Sequence, residues 1–278
     1  MKRHLLVVAT ASTLSACGSS STAPRAPVQT PPDSQVIDPS ISPAAFSADP
    51  ARVSITGARA APERLQITID GETYDFDTAG SDTISPSGVW EYFTKGDGSV
   101  VGLIDTQSDH VVNFRIRSEE EWNTPFEGGI LAVGVDGSLT PLDAIPTTGS
   151  ATYDGFAIGY MIVDTLPSDG IYTTRSNVTL DADFVASEAD FVAFGSVIFS
   201  PTSGTTSFGS LDAQAALEIA DGKFQGTMMA PGTTDVIGNV DGNFYGPSAD
   251  AIAGTMDYSF RNSGRTTFYT GVSSFTAE

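Results

Sequence analysis

The side chains that could do chemistry in this sequence are few and scattered. After the first 16 residues the chain contains one histidine, His110, in the stretch QSDHVVNF. A lone histidine ahead of a strand is typical of a surface residue, although imidazole and methionine sulfur can both bind haem iron. Haem ligation by His110 or by the pair Met228-Met229 therefore stays open, beside the alternative that one methionine of the strand FQGTMMA fills the protein interior. No other cofactor is expected.

Carboxylates are abundant, but their arrangement is typical of a solvated surface. Examples are Asp181 with Asp183, and the run Glu119 to Glu121. The sequence contains no Gly-x-Ser-x-Gly nucleophile elbow, no phosphate-binding P-loop, no zinc-binding His/Cys cluster and no EF-hand loop. We therefore predict no catalytic residue, no metal site and no enzymatic activity, and a hydrolase ranks last among the function classes considered.

The charge balance argues against nucleic acid as a partner. The sequence has 13 Lys and Arg residues against 34 Asp and Glu residues, a formal net charge of −21. Residues 1–16 contain two of the basic residues and no acidic one, so the remainder has 11 against 34 and a net charge of −23. Such a chain repels nucleic acid and anionic lipid surfaces and attracts basic partners.

The N-terminus has the pattern of an export signal. A basic start at residues 2–4 is followed by a short apolar segment, residues 5–14, and then by Leu-Ser-Ala-Cys, which ends at Cys17. This resembles the bacterial lipobox, which implies cleavage before Cys17 and anchoring of that residue to outer-membrane lipid through its acyl chains. Gly18, where an Asp would retain a lipoprotein in the inner membrane, agrees with this location. An ordinary secretory signal is the alternative.

Composition divides the rest of the chain. Residues 18–48 are rich in Ser, Thr, Pro and Ala and contain six prolines, which is typical of a disordered tether. The expected division is a signal peptide at 1–16, an acylated Cys with its linker at 17–50, a β-rich domain at 51–149 and a second β domain at 150–278.

The first of these domains shows hairpin signals. In LQITIDGETYDFD, apolar and polar residues alternate on both sides of Asp70-Gly71, a favoured two-residue turn. A second hairpin is predicted to turn at Gly96 to Ser99, and VVNFRIR and GILAVGV supply two more strands. We expect a small, mainly antiparallel sheet or sandwich.

The second domain is predicted to be a closed barrel. Period-2 alternation marks eight strand candidates, at about 151–164, 176–186, 190–199, 206–219, 222–230, 235–245, 252–260 and 266–276. Eight such strands suit an antiparallel up-and-down β-barrel with its apolar faces inward. The polar outer faces argue against the alternative of a membrane-spanning barrel. The fold class is therefore all-β.

The stretch GNFYGPSADAIAGTM carries a recognisable pattern. It resembles the signature of the transferrin-binding protein B β-barrel domain, a Gly-x-Phe-Tyr-Gly-Pro run with a following Ala and a later Gly. The matching residues are Gly242, Phe244, Tyr245, Gly246, Pro247, Ala249 and Gly254. TYDGFAIGY and the chain end TGVSSFTAE are similar to the opening and closing strands of that domain.

The resemblance implies a function that the residues alone do not. It implies an outer-membrane, surface-displayed lipoprotein that captures a host or environmental protein, or an iron- or haem-bearing ligand, for uptake. An outer-membrane receptor or a surface translocator would be its partner, and residues 51–149 would be the companion "handle" domain. Recognition is expected at the loops 166–174 and 201–207 and on the handle. The alternative is a structural envelope lipoprotein without a diffusible ligand.

Overall fold

The fold is described from a computed structural model. It describes residues 53–56, 64–69, 72–87, 90–118, 131–163, 171–200, 204–207, 212–232, 236–261 and 268–278. The predicted signal peptide, Cys17 and the linker lie outside these residues. In the part of the chain that is described, no helix is long and apolar enough to cross a membrane.

The described elements are seventeen strands and one turn of 3-10 helix, Leu142–Ala144. The strands are β1 Val53–Thr56, β2 Arg64–Ile69, β3 Glu72–Asp77, β4 Thr83–Ser87, β5 Trp90–Thr94, β6 Val100–Asp105, β7 Val111–Ser118, β8 Leu131–Gly137, β9 Ser150–Val163, β10 Ile171–Asp183, β11 Glu188–Ser200, β12 Gly204–Ser207, β13 Ala213–Ala220, β14 Lys223–Met229, β15 Val236–Tyr245, β16 Ala251–Arg261 and β17 Phe268–Ala277.

Eight strands close into a barrel. The order is β9-β10-β11-β13-β14-β15-β16-β17, every neighbouring pair is antiparallel, and β17 returns to pair with β9 from Tyr269–Val163 to Ala277–Gly155. This confirms the predicted eight-stranded up-and-down barrel, which leaves no free edge at its seam. One predicted strand, 206–219, is in fact two, because β11 pairs with β13 along its first half and with β12 along its second half.

The barrel interior is filled by apolar side chains, as the alternation predicted. Four phenylalanines are fully buried there, with ring centroids 5.2 to 6.2 Å apart along the chain of contacts. They are Phe191, Phe224, Phe244 and Phe275. Met228 is fully buried in the same cluster, so it is the methionine of FQGTMMA that fills the interior.

Two smaller antiparallel sheets precede the barrel, β1–β3 and β4–β8. Leu65, Ile67 and Phe76 of the first sheet share a core with one face of the second sheet. Both predicted hairpins are present, with Ile69 paired to Glu72 and a turn that joins β5 to β6. Strands β1 and β4 were missed from the sequence because they are only four and five residues long and β4 contains a proline.

The other face of the five-stranded sheet lies on the outside of the barrel. Strands β7 and β8 contact β16, β17 and β9. The outward-facing Ser274 is therefore buried, and its Oγ donates a hydrogen bond to the carbonyl of Phe114 (3.0 Å). Ser274 and Thr276, polar residues on the outward face of β17, do not meet water, since a second layer covers them.

Candidate functional site

The signature stretch forms the joint between the barrel and the five-stranded sheet. Gly246 has a φ of 84°, a left-handed conformation that favours glycine. Its N–H donates to the carbonyl of Ser138 (3.0 Å), and its own carbonyl accepts from Oγ1 of Thr140 (2.8 Å). Residues 138–140 are the connection that leaves β8 for the barrel. The turn after β15 is thus fastened to the segment that links the two layers.

Two neighbouring aromatic residues of the signature face opposite layers. Phe244 points into the barrel, where its ring lies 5.6 Å from that of Phe224. Tyr245 points outward and is fully buried against Val111 and Val135 of the five-stranded sheet. One dipeptide therefore contributes to both cores, which gives the order Phe-Tyr a packing role in an otherwise unreactive stretch.

The glycines of the signature allow close approach of strands. Gly242 and Gly254 are directly paired between β15 and β16. A Cβ on Gly242 would lie 2.4 Å from the Phe224 ring, and a Cβ on Gly254 would lie 2.1 Å from the carbonyl oxygen of Asp241. Glycine inside a strand marks either a bulge or a close backbone approach, and here it marks the close approach, because the β15–β16 register runs without a shift.

Ser248 is a residue type that could cap a turn of helix, but this turn is not helical. Ala249 has a φ of 59°, which ends any right-handed helix, and β16 already begins at Ala251. The carbonyl of Ala249 accepts a hydrogen bond from Oη of Tyr153 (2.8 Å). Pro247 lies beside this turn on the surface of the joint.

His110 lies at the same joint. It lines an open pocket of about 420 Å³ together with Leu139 and Pro247, and its Nε2 lies 3.9 Å from Oδ2 of Asp250. Met228, the other haem-ligand candidate, is sealed in the barrel core. The structure therefore does not place these two candidates in one accessible site.

The loops predicted to carry recognition are partly strand. Residues 171–174 belong to β10, where pairing with β9 extends to Ile171–Ile162. Residues 204–207 form β12 and pair with the end of β11. Strand pairing satisfies these backbone groups, so this part of the loop prediction is wrong. The remaining residues of both loops lie outside the described residues.

A cleft opens where the five-stranded sheet overhangs the barrel strands β9 to β11. It has a volume of about 260 Å³. Its walls come from both layers: Trp90, Tyr92, Leu103 and Arg115 from the sheet, and Ile158, Thr173, Arg175 and Phe199 from the barrel. Sequence reasoning selected none of these residues individually.

Exposed apolar residues lie along β11 and at the mouth of this cleft. We call Tyr92, Val192, Phe194 and Phe199 the β11 patch; their exposed fractions are 49%, 40%, 44% and 36%. Phe199 and Tyr92 line the cleft itself. Large apolar side chains are rarely left this exposed in a cluster unless they serve an interface.

A β-bulge keeps the patch on one face of β11. The register with β10 shifts between Arg175 and Asn177, where Gly195 has a φ of 62°. Because the bulge inserts one residue, Phe194 and Phe199 face outward although they are five residues apart. This odd spacing in VAFGSVIFS, around a glycine, was the sequence signal that could have located the patch.

Two arginines project into the cleft. Nη1 of Arg115 donates to the carbonyls of Gly159 (3.3 Å) and Thr174 (3.2 Å), and burial lowers the pKa of this guanidinium. The guanidinium of Arg175 lies over the rings of Phe156 (4.5 Å) and Trp90 (5.2 Å). The arginines thus help to hold sheet and barrel together while presenting positive charge to the cleft.

Asp105 is a buried carboxyl at the same interface. It is 1% exposed, and this burial raises its pKa from 3.8 to about 6, although hydrogen bonds from the N–H of Gln107 (3.0 Å) and Oγ1 of Thr276 (3.4 Å) favour the ionised form. Ionisation of Asp105 at neutral pH therefore opposes the docking of β6 on β17.

Replacing Asp105 with asparagine should stabilise the protein above pH 6. Because the folded-state pKa of Asp105 is raised, its neutral form adds to the free energy of unfolding. This contribution is complete below about pH 4 and is lost as the pH rises through about 6. Asparagine stays neutral throughout, and the gain in the free energy of unfolding at pH 8 is expected to reach at most about 3 kcal/mol. Denaturation curves from pH 4 to pH 8 measure it.

The matched control is Asp97→Asn in the exposed turn between β5 and β6. The hydroxyl and N–H of Ser99 lower the pKa of Asp97, so its ionised form is the favoured one in the folded state. Asp97→Asn should give no gain at pH 8. Equal pH profiles for wild type and Asp105→Asn would show that Asp105 does not titrate as described.

Residues 145–278 match the family model for the C-lobe and N-lobe β barrels of Tf-binding protein B. No curated protein sequence matches significantly. The chain is similar to a mutant transferrin-binding protein B from Haemophilus parasuis Hp5 (15% identity, 77% of this chain, 40% of that chain, TM-score 0.49). It is also similar to the isotype 1 protein from serogroup B Neisseria meningitidis (15% identity, 77% of this chain, 38% of that chain, TM-score 0.46). The chain therefore spans about 40% of the length of these proteins.

Proposed function

We propose that this chain is a non-enzymatic binding lipoprotein, because residues 145–278 match the family model for the β barrels of Tf-binding protein B. It is anchored to the outer membrane through acylated Cys17 and displayed at the cell surface. It captures a protein, or an iron- or haem-bearing ligand, and passes it to a partner for uptake. The matched family is named for Tf-binding protein B, which makes transferrin the first candidate ligand.

The observation that carries the proposal is the β11 patch. Its residues combine two aromatic rings of β11 with a tyrosine of the neighbouring sheet, and aromatic side chains are the commonest anchors of protein interfaces. A strand hairpin and a docked sheet hold them, so the surface is formed before a ligand arrives. Such preorganisation lowers the entropic cost of binding.

The proposal predicts selective loss of binding when the patch is made polar. The purified protein is titrated with transferrin, haemoglobin and free haem, as wild type and as the double variant Phe194→Ser/Phe199→Ser. We expect at least one of these ligands to bind the wild type, and the double variant to bind it at least tenfold more weakly, because two interface anchors are lost.

Val185→Ser is the matched control. Val185 is also an exposed apolar residue, but it lies in the turn at the opposite end of the β10–β11 hairpin. Its substitution should leave binding unchanged. Capture at the patch is refuted if Val185→Ser weakens binding as much as the double variant does. Failure of all three ligands to bind would favour the structural envelope role instead.

A further inference from the structure

The cleft beneath the overhanging sheet has a charge that is unexpected in this chain. The protein has 13 basic residues in 278 and a net charge of −21, yet two arginines line this one cavity of about 260 Å³. Burial in this cleft costs a guanidinium group part of its hydration, and it lowers the pKa of Arg115. An arrangement of this kind is stabilised when an anion enters.

Neither arginine has a carboxylate partner within 4.0 Å among the described residues. Arg115 uses Nη1 for two backbone carbonyls, Gly159 and Thr174, which leaves its other N–H groups uncommitted. Burial lowers the pKa of Arg115; Tyr160 and Tyr92 partly offset this effect, and the charge of Arg117 adds to it. Backbone carbonyls hold the side chain in place but do not neutralise it.

Arg175 is held by its faces rather than by its edges. The rings of Phe156 and Trp90 lie against its guanidinium, and in the described structure its N–H groups donate to no protein acceptor. The carboxyl of Asp105 is close enough to sense its charge, but it forms no ion pair within 4.0 Å. The donors of Arg175 are therefore positioned and free to meet a ligand oxygen.

Apart from the hydroxyl of Thr173, the remaining walls are mainly aromatic and aliphatic. Trp90, Tyr92 and Phe199 present aromatic rings, and Leu103 and Ile158 close the floor. A volume of about 260 Å³ lies below the range usual for drug-sized ligands. A suitable ligand is accordingly small, planar and apolar over most of its surface, with one charged end.

We propose that this cleft is a binding site for a small aromatic carboxylate, whose carboxylate meets Arg115 and Arg175 and whose ring lies between Trp90, Tyr92 and Phe199. The site goes beyond the capture of a protein ligand and does not depend on it. A carboxylate with the same chemistry could also be supplied by the C-terminus of a peptide that ends in an aromatic residue, and the two sources are separated below.

Benzoate and benzamide distinguish charge from shape. They have nearly the same size, but only benzoate carries a carboxylate. Titrated into the wild-type protein and followed by calorimetry and by the fluorescence of its two tryptophans, Trp90 and Trp122, benzoate should bind at least tenfold more tightly than benzamide. Raising the salt concentration should weaken benzoate binding. Equal affinity for the two compounds overturns the proposal.

Arg175→Gln tests the residue assignment. Benzoate binding should fall at least tenfold in this variant, whereas Arg64→Gln, which removes an exposed arginine paired with Asp75, should leave it unchanged. Thermal unfolding of Arg175→Gln verifies that the variant is folded, and Tyr92→Ala supplies a second probe that removes one aromatic wall. Unchanged benzoate affinity in both folded cleft variants overturns the proposal.

The peptide source is tested separately with N-acetylphenylalanine and a longer peptide that ends in phenylalanine. Binding of benzoate and N-acetylphenylalanine without the longer peptide indicates a free small acid. Binding of all three indicates that the cleft also accepts a peptide C-terminus. Tight binding of the peptide alone overturns the assignment to a small acid. These titrations use no transferrin or haemoglobin, so their outcome is independent of protein capture.

Discussion

Replacing Gly254 with alanine is expected to lower the free energy of unfolding by about 3 kcal/mol. The added Cβ would lie 2.1 Å from the carbonyl oxygen of Asp241 and 2.7 Å from Cα of Gly242. Both are backbone atoms of the paired strand, so the contact is relieved only if β15 and β16 separate. The pair lies in the barrel wall, where a separation breaks the closed ring of hydrogen bonds.

Chemical denaturation followed by circular dichroism measures this effect. Gly80→Ala is the matched control, because the same Cβ there has its nearest neighbour at 3.4 Å and the residue lies in an exposed turn. We expect that control to change stability by less than about 0.5 kcal/mol. A loss of less than about 1 kcal/mol for Gly254→Ala would mean that the strands can move apart cheaply, against the tight barrel described here.

Tyr245→Ala is expected to have a comparable effect by a different route, namely a loss of about 3 kcal/mol or more. The side chain is fully buried between Val111, Val135 and the two alanines Ala251 and Ala253. Its removal leaves a cavity between the layers rather than within the barrel. We therefore expect the five-stranded sheet to loosen while the barrel remains folded.

Amide hydrogen exchange separates the two layers. In Tyr245→Ala, exchange should accelerate in β7 and β8 more than in β13 and β14, which lie away from the joint. Tyr245→Phe keeps the ring and should stay within about 1 kcal/mol of wild type. Uniform acceleration of exchange in all strands would show that the sheet and the barrel unfold as one unit. Tyr245 would then not stabilise the contact between the two layers separately from the rest of the fold.

The barrel could be predicted from the sequence because most of its strands have one solvent-exposed face and one buried face. In β10, Val178 and Leu180 alternate with Asn177 and Thr179, and the structure buries the first pair more deeply than the second. The same reasoning could not foresee that β17 is covered on both faces. Its residues are nearly all buried, polar ones included, because a segment more than 150 residues earlier docks on it.

The site was less predictable than the fold. The signature residues were recognised as a pattern, but their role, with Phe244 and Tyr245 serving opposite layers, follows from the docking of the sheet. The cleft arginines come from β7 and β10, which are distant in sequence, and local periodicity contains no information about their meeting. The outward direction of both Phe194 and Phe199 in the β11 patch depends on a bulge at Gly195. This bulge reverses the alternation of inward and outward side chains within one strand.

The central claim is that this chain captures a protein ligand on the β11 patch beside the docked sheet. The most direct measurement is a hydrogen-exchange footprint of the full chain, recorded alone and with a saturating concentration of transferrin or of haemoglobin. The account predicts that one of them slows exchange in residues 90–94 and 190–200, and leaves residues 183–187 at the far end of the hairpin unchanged. Protection confined to other strands, or no protection with either protein, would contradict it.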